Sequence, residues 1–291
     1  MAVTLYRHNQ EAYRAVCALL EQEHRAAVVH PTGTGKSMIA FYHAQQHPLQ
    51  RFLWLSPSEY IVRTQLENVR RDDPKADFSH IRFMTYARLM LLDAEALAEL
   101  RPDGIILDEF HRCGAEMWGE GVQRLLEMYP EAELLGLSAT KIRYLDHQRD
   151  MVEELFDGHI ASEMTLGEAV VRGILPAPKY VTTVYQYQQG LARYEQRIQS
   201  MRSQRQRSRS EKYLQALRRA MESADGLDAV FAKHLTERTG KYLVFCASVS
   251  HMRELQSHVT EWFGGVDTSP HCYCVYAEMC PRRRICGLRT G

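Results

Sequence analysis

VVHPTGTGKSMIA, Val28 to Ala40, runs from an apolar stretch through a loop with two glycines and a Lys-Ser pair into a second apolar stretch. A loop that cradles phosphate needs backbone N–H groups turned inward, and glycines where a Cβ would block that turn. It also needs a lysine for the outer phosphates and a hydroxyl for Mg²⁺. Thr32, Gly33, Thr34, Gly35, Lys36 and Ser37 meet these needs, although the first glycine of the general G-x-x-x-x-G-K-S/T pattern is His30 here. The bland alternative is a glycine-rich turn. The loop's place between a buried-strand pattern and a helix-like one favours the cradle.

Outward from this loop, short apolar runs alternate with longer amphipathic ones. The expected strands are 26–30, 52–56, 81–86, 104–109 and 134–139, with helices beginning near Lys36, Glu59, Ala87 and Met117 and an earlier helix capped by Asn9. Strands apolar nearly throughout are buried on both faces, and their alternation with helices predicts an α/β fold with a parallel sheet. Phosphate chemistry also requires a carboxylate at the end of a neighbouring strand. GIILDEFH provides Asp108 for the metal and Glu109 to polarise the attacking water.

With 291 residues, 45% of them hydrophobic and 25% charged, the composition is that of a globular protein of about two domains. Lys plus Arg and Asp plus Glu each total 36, so any nucleic-acid contact must come from a local basic patch. The N-terminus lacks the apolar run of a secretory signal and no stretch is long enough to span a bilayer, so a cytoplasmic protein without membrane contact is expected.

Three elements in order, PTGTGKS, DEFH (108–111) and SAT (138–140), resemble motifs I, II and III of superfamily 2 helicases, the group containing DEAD/DEAH-box proteins and type III restriction helicase subunits. Arg7 and Gln10 match the R-x-x-Q element that reads adenine in that family. WLSPSEYIVRTQ (54–65) and FMTYARL (83–89) resemble the backbone-touching motifs Ia and Ib, and KYLVFCAS (241–248) resembles motif IV. The resemblance implies a RecA-like P-loop NTPase domain followed by a partial second RecA-like domain with a helical insertion. It also implies an ATP hydrolase of helicase or translocase type using ATP and Mg²⁺. Carried over by position, Lys36 binds the β/γ-phosphates, Ser37 and Asp108 the metal, and Glu109 is the general base. His111, Ser138 and Thr140 couple nucleotide state to nucleic acid. The implied partners are nucleic acid, with DNA ahead of RNA, and restriction-modification or mobile-element subunits. DEFH in place of DEAD or DEAH leaves the subgroup open.

LPAP (175–178) places the expected border between domains 1–174 and 175–291. Within 190–238 lies a basic helical insertion. Residues 191–219 hold nine basic residues against two acidic ones, either a solvated face or a phosphate-contacting surface. The tail 267–291 carries Cys272, Cys274, Cys280 and Cys286, whose spacing fits a zinc site poorly and a truncated or frame-shifted end better. The Q-x-x-G-R-x-x-R element that ends the family pattern is not found. The chain therefore also reads as an ATP- and nucleic-acid-binding fragment without motor activity.

Overall fold

The computed structural model describes residues 4–114, 116–143, 148–181, 188–222, 226–235, 242–266 and 272–274. The chain divides into two compact units, Met1–Pro178 and Lys179–Gly291.

The first unit is a three-layer α/β structure. Its strands are β1 (Arg25–Val29), β2 (Phe52–Ser56), β3 (Ile81–Thr85), β4 (Gly104–Asp108) and β5 (Glu133–Ser138), the short antiparallel pair β6 (Ile142–Arg143) and β7 (Arg149–Asp150), and β8 (Ile160–Glu163). Its helices are α1 (Arg7–Glu23), α2 (Lys36–Gln46), α3 (Glu59–Asp72), α4 (Tyr86–Met90), α5 (Ala94–Ala98), α6 (Glu116–Met128), α7 (Met151–Phe156) and α8 (Leu166–Val171). Six strands form a sheet in the order β3-β2-β4-β5-β1-β8, each pair parallel.

Alternate residues of these strands feed two apolar layers, as the two-residue period of a strand requires. Phe52, Trp54, Ile106, Leu135 and Val28 face one side, where Val16 of α1 and Phe41 of α2 cover them. Leu53, Leu55, Ile105, Leu107 and Val29 face the other, under Leu89, Val122, Leu125 and Phe156. This double cover is why the strands read as continuous apolar runs.

Gly136 in β5 is needed for space, since a Cβ there would lie 2.2 Å from the Phe156 ring, which is fully buried. Gly136→Ala must push that ring off its seat, and overpacking of this kind costs about 1–3 kcal/mol. Urea unfolding should show the variant's midpoint lowered with an unchanged slope. An unchanged midpoint would mean that Phe156 has room to yield.

The second unit contains α9 (Gln188–Gln199), α10 (Gln204–Glu222), α11 (Leu227–His234) and α12 (Val249–Phe263). Leu255, Trp262, Phe263 and Val266 form a small core with Leu227 and Phe231 packed on it. The expected strand at 241–246 is not formed over 242–246, where Leu243 is 86% and Phe245 90% exposed. A strand holds its conformation through a paired neighbour, and among the described residues this unit has no strand to pair with. The apolar run at 180–185 lies largely outside the described residues.

Candidate functional site

In an open parallel sheet, ligands bind in the crevice beyond the carboxyl ends of the strands. Here β1 runs into the glycine loop, β4 ends on Asp108 and β5 ends on Ser138, and these three strands are neighbours. Residues more than a hundred positions apart thus meet at one edge.

Gly33 and Gly35 have φ of 93° and 82°, the left-handed region that a side chain disfavours, and Gly35 sits at the N-cap of α2. The helix therefore opens directly under the loop with its first N–H groups free for an anion. Thr34 Oγ1 donates to Pro31 O at 2.8 Å, and Thr32 is exposed at the loop tip. Lys36 is 7% exposed and its Nζ donates to Pro31 O at 3.4 Å. Burial pushes the Lys36 ammonium below its usual range, against the pull of Glu109 and Asp108.

Ser37 Oγ and Asp108 Oδ2 converge on a single donor, Gln65 Nε2, at 2.8 and 3.2 Å. Burial raises the Asp108 carboxyl to about 6; the Gln65 bond opposes the rise and Glu109 adds to it. A hydroxyl and a buried carboxylate short of countercharge form a donor set that suits Mg²⁺, a hard cation that takes oxygen ligands.

Glu109 has φ of 54°, an uncommon conformation for a residue with a side chain and one that costs about 1–3 kcal/mol. Its Oε2 lies 3.4 Å from His111 Nδ1, which is 2.8 Å from Ser138 Oγ. The Ser138 hydroxyl donates to Thr140 O at 2.7 Å, so the proton shared with the imidazole sits on His111 Nδ1. Burial lowers the His111 pKa, against the pull of Glu109. A continuous chain of polar contacts therefore runs from Glu109 through His111 and Ser138 to Thr140.

Arg7 is exposed and paired with Glu11, and Gln10 donates to Leu5 O at 2.9 Å. Both stand on the first turns of α1. Asn9, expected as the cap of that helix, is instead fully buried inside it, because the N-cap is Tyr6. Its Nδ2 donates to Thr34 O at 3.0 Å, and His8 Nε2 lies 2.8 Å from the same oxygen. Sequence reading missed Asn9, His8 and Gln65 as site residues. The first two stand between Arg7 and Gln10 in RHNQ, and Gln65 ends the Ia-like segment.

His30, at the position of the missing glycine, is fully buried with Nε2 2.8 Å from Ser162 Oγ on β8, so it ties the root of the loop to the edge strand. Burial lowers its pKa from 6.5 to about 4, with His8, Lys36 and Arg172 adding to the shift. The folded ring stays neutral while the unfolded one protonates, so the unfolded chain binds more protons between these values. His30's contribution to stability therefore falls as pH drops below 6.5 toward 4, by about 2 kcal/mol between pH 7 and 5, while the raised pKa of Asp108 acts in the opposite direction. Denaturation curves of wild type and His30→Asn should show a flatter pH dependence in the variant. Parallel curves would remove His30 as the source.

Residues 2–143 match the family model described as type III restriction enzyme, res subunit. No curated protein sequence matches the chain. Among solved structures, the DUF1998 helicase MrfA bound to DNA superposes with a TM-score of 0.57 at 14% identity, over 97% of this chain and 40% of that one. The ATP-dependent Type ISP restriction-modification enzyme LlaBIII bound to DNA gives 0.49 at 15% identity, over 90% and 22%. The helicase domain of Pyrococcus furiosus Hef gives 0.42 at 16%, over 67% and 46%. The chain thus spans under half the length of each of these three structures. Residues 2–143, within the first unit of this chain, are thus similar to the type III restriction enzyme res subunit family.

Proposed function

We propose that this chain is an ATP-hydrolysing motor of helicase or translocase type that acts on nucleic acid, DNA before RNA. The observation that carries the reading is the meeting of Lys36, Ser37, Asp108 and Glu109 with the His111–Ser138–Thr140 chain at one sheet edge. Thr32 to Ser37 cradle the phosphates, and Lys36 meets the charge on the outer ones. Arg7 and Gln10 take the adenine. Ser37 and Asp108 would hold Mg²⁺, which neutralises developing phosphate charge when bound. Glu109 orients the water and accepts its proton, and His111 senses Glu109 and passes its position to Ser138 and Thr140.

Support for DNA as the track comes from the fold shared with MrfA, which was solved on DNA. Restriction-modification or mobile-element subunits are the proposed protein partners, on the family match. Among the described residues no helix is long and apolar enough to cross a membrane, and we infer a cytoplasmic setting. The two regions 1–174 and 175–291 are proposed as a first RecA-like domain and part of a second, with 190–238 as a basic insertion. Cys272 and Cys274 of the tail are described, whereas Cys280, Cys286 and Arg282 to Arg284 lie outside the described residues.

The test is phosphate release from ATP in Mg²⁺, with single-stranded DNA, duplex DNA and RNA added in turn. Hydrolysis lost in both Lys36→Ala and Glu109→Gln supports the reading, and hydrolysis that survives both refutes it. ATP consumed with no displacement along DNA would favour a binding fragment over a motor.

Arg202, Arg205, Arg207 and Arg209 are exposed, the last three on α10, and they offer a surface for phosphates. Arg207 also donates to the carbonyls of Gln199 and Met201 and thereby closes the α9–α10 turn. Each phosphate contact contributes about 0.7–0.9 to the slope of log affinity against log salt. Changing all four to Ala should flatten that slope by about 3, measured by anisotropy of a labelled oligonucleotide. An unchanged slope would identify the run as a solvated face.

A further inference from the structure

Gln65 stands between the two residues assigned to the metal, and nothing in the phosphate-loop pattern asks for it. Its Nε2 donates to Ser37 Oγ at 2.8 Å and to Asp108 Oδ2 at 3.2 Å. An ionised carboxylate only accepts, so the nitrogen end of the amide must face Asp108. The other end, Oε1, is buried with no hydrogen-bond partner, so the two bonds of the nitrogen alone set how the amide is turned. The backbone beneath is equally fixed. Val62 and Val69, three residues before and four after on α3, are 7% and 1% exposed, which places Gln65 on the buried stripe of that helix.

We propose that Gln65 is the positioning residue of the metal site: one amide donor holds the Ser37 hydroxyl and the Asp108 carboxylate in register, so that both present oxygen to the same cation. The proposal rests on the reading of Ser37 and Asp108 as the metal residues. A carboxylate with one oxygen fixed keeps its other oxygen aimed, and a hydroxyl that accepts a bond on one side keeps a lone pair free on the other. Because Gln65 is carried by α3, whose first turns hold the segment resembling motif Ia, a shift of that helix along its axis would move both metal residues together. Partners that orient metal ligands in this way typically contribute about 10–100-fold to metal affinity.

The test uses Mn²⁺ as the probe, titrated in the presence of ADP and followed by the spin resonance of the free ion. ADP affinity is measured separately in EDTA. Gln65→Met keeps the side chain's length without the donor, and Gln65→Ala keeps the helix should the thioether pack poorly. Wild type is expected to bind one Mn²⁺ in an ADP-dependent way. Both variants should bind it about 10–100-fold more weakly, with ADP affinity in EDTA unchanged. Mn²⁺ affinity that stays the same or tightens in both variants overturns the role of Gln65 and leaves the phosphate loop intact. A parallel loss of ADP affinity in EDTA also overturns it, as general damage to the loop. A wild type that binds ADP but no Mn²⁺ removes the metal assignment of Ser37 and Asp108, and the proposal with it.

Discussion

Lys36→Ala is expected to weaken binding of Mg²⁺–ATP about 100-fold while leaving the fold at least as stable as before. A hydrogen bond between charged groups contributes about 1.5–3 kcal/mol, and each 1.4 kcal/mol is a factor of ten in affinity. The Lys36 ammonium is nearly buried and donates a long hydrogen bond, 3.4 Å to Pro31 O, which a phosphate oxygen can readily replace. The stability half of the expectation comes from the lowered pKa of Lys36, which says that burial costs the charged form more than Glu109 and Asp108 return. Without ligand, removing the charge removes that cost. Calorimetric titration with ATP, paired with thermal unfolding of the free protein, checks both halves. Unchanged affinity would sink the phosphate-loop assignment, and lost affinity together with a collapsed fold would make Lys36 a structural residue.

Glu109→Gln should abolish turnover and spare binding. The substitution keeps the shape and the left-handed backbone of residue 109, where φ is 54°, and removes the carboxylate's charge and its ability to take a proton. General bases contribute about 10²–10⁴ in rate, so single-turnover hydrolysis should fall by about that factor while ATP affinity holds within about threefold. Glu109→Gly makes a useful contrast, because glycine relieves the left-handed strain, and the free protein should become slightly more stable as activity disappears. A Gln variant that hydrolyses ATP at the wild-type rate would place the base elsewhere, and His111 would be the next residue to examine.

The sheet was legible because its strands are buried on both faces. FLWLS at 52–56 lies within β2 at both ends, and the other four expected strands agree with β1, β3, β4 and β5 to within one residue at each end. β8 escaped because it is the edge strand: Ile160 to Ser162 are half-buried and Glu163 is exposed, so it has neither an apolar run nor a clean alternation. Local pattern also failed at 242–246, where an apolar run with no strand beside it among the described residues stays unpaired. Within the site, Lys36, Ser37, Asp108 and Glu109 were readable because phosphate and metal chemistry fix residue types at close spacing. Asn9, His30 and Gln65 were not, because their parts depend on contacts across 25, 132 and 43 positions that no local spacing encodes. Asn9 shows the difference well. Its residue type suits a helix cap, yet the helix begins earlier, and the amide reaches the loop instead.

The measurement that bears most directly on this account is a crystal structure of the chain with Mg²⁺ and a non-hydrolysable ATP analogue. The account predicts the β-phosphate on the N–H groups of Gly33 to Ser37, Lys36 on the outer phosphates, the ion between Ser37 and Asp108, and Glu109 facing the γ-phosphate. Nucleotide bound away from this loop, or bound in it with the ion away from both Ser37 and Asp108, would contradict it.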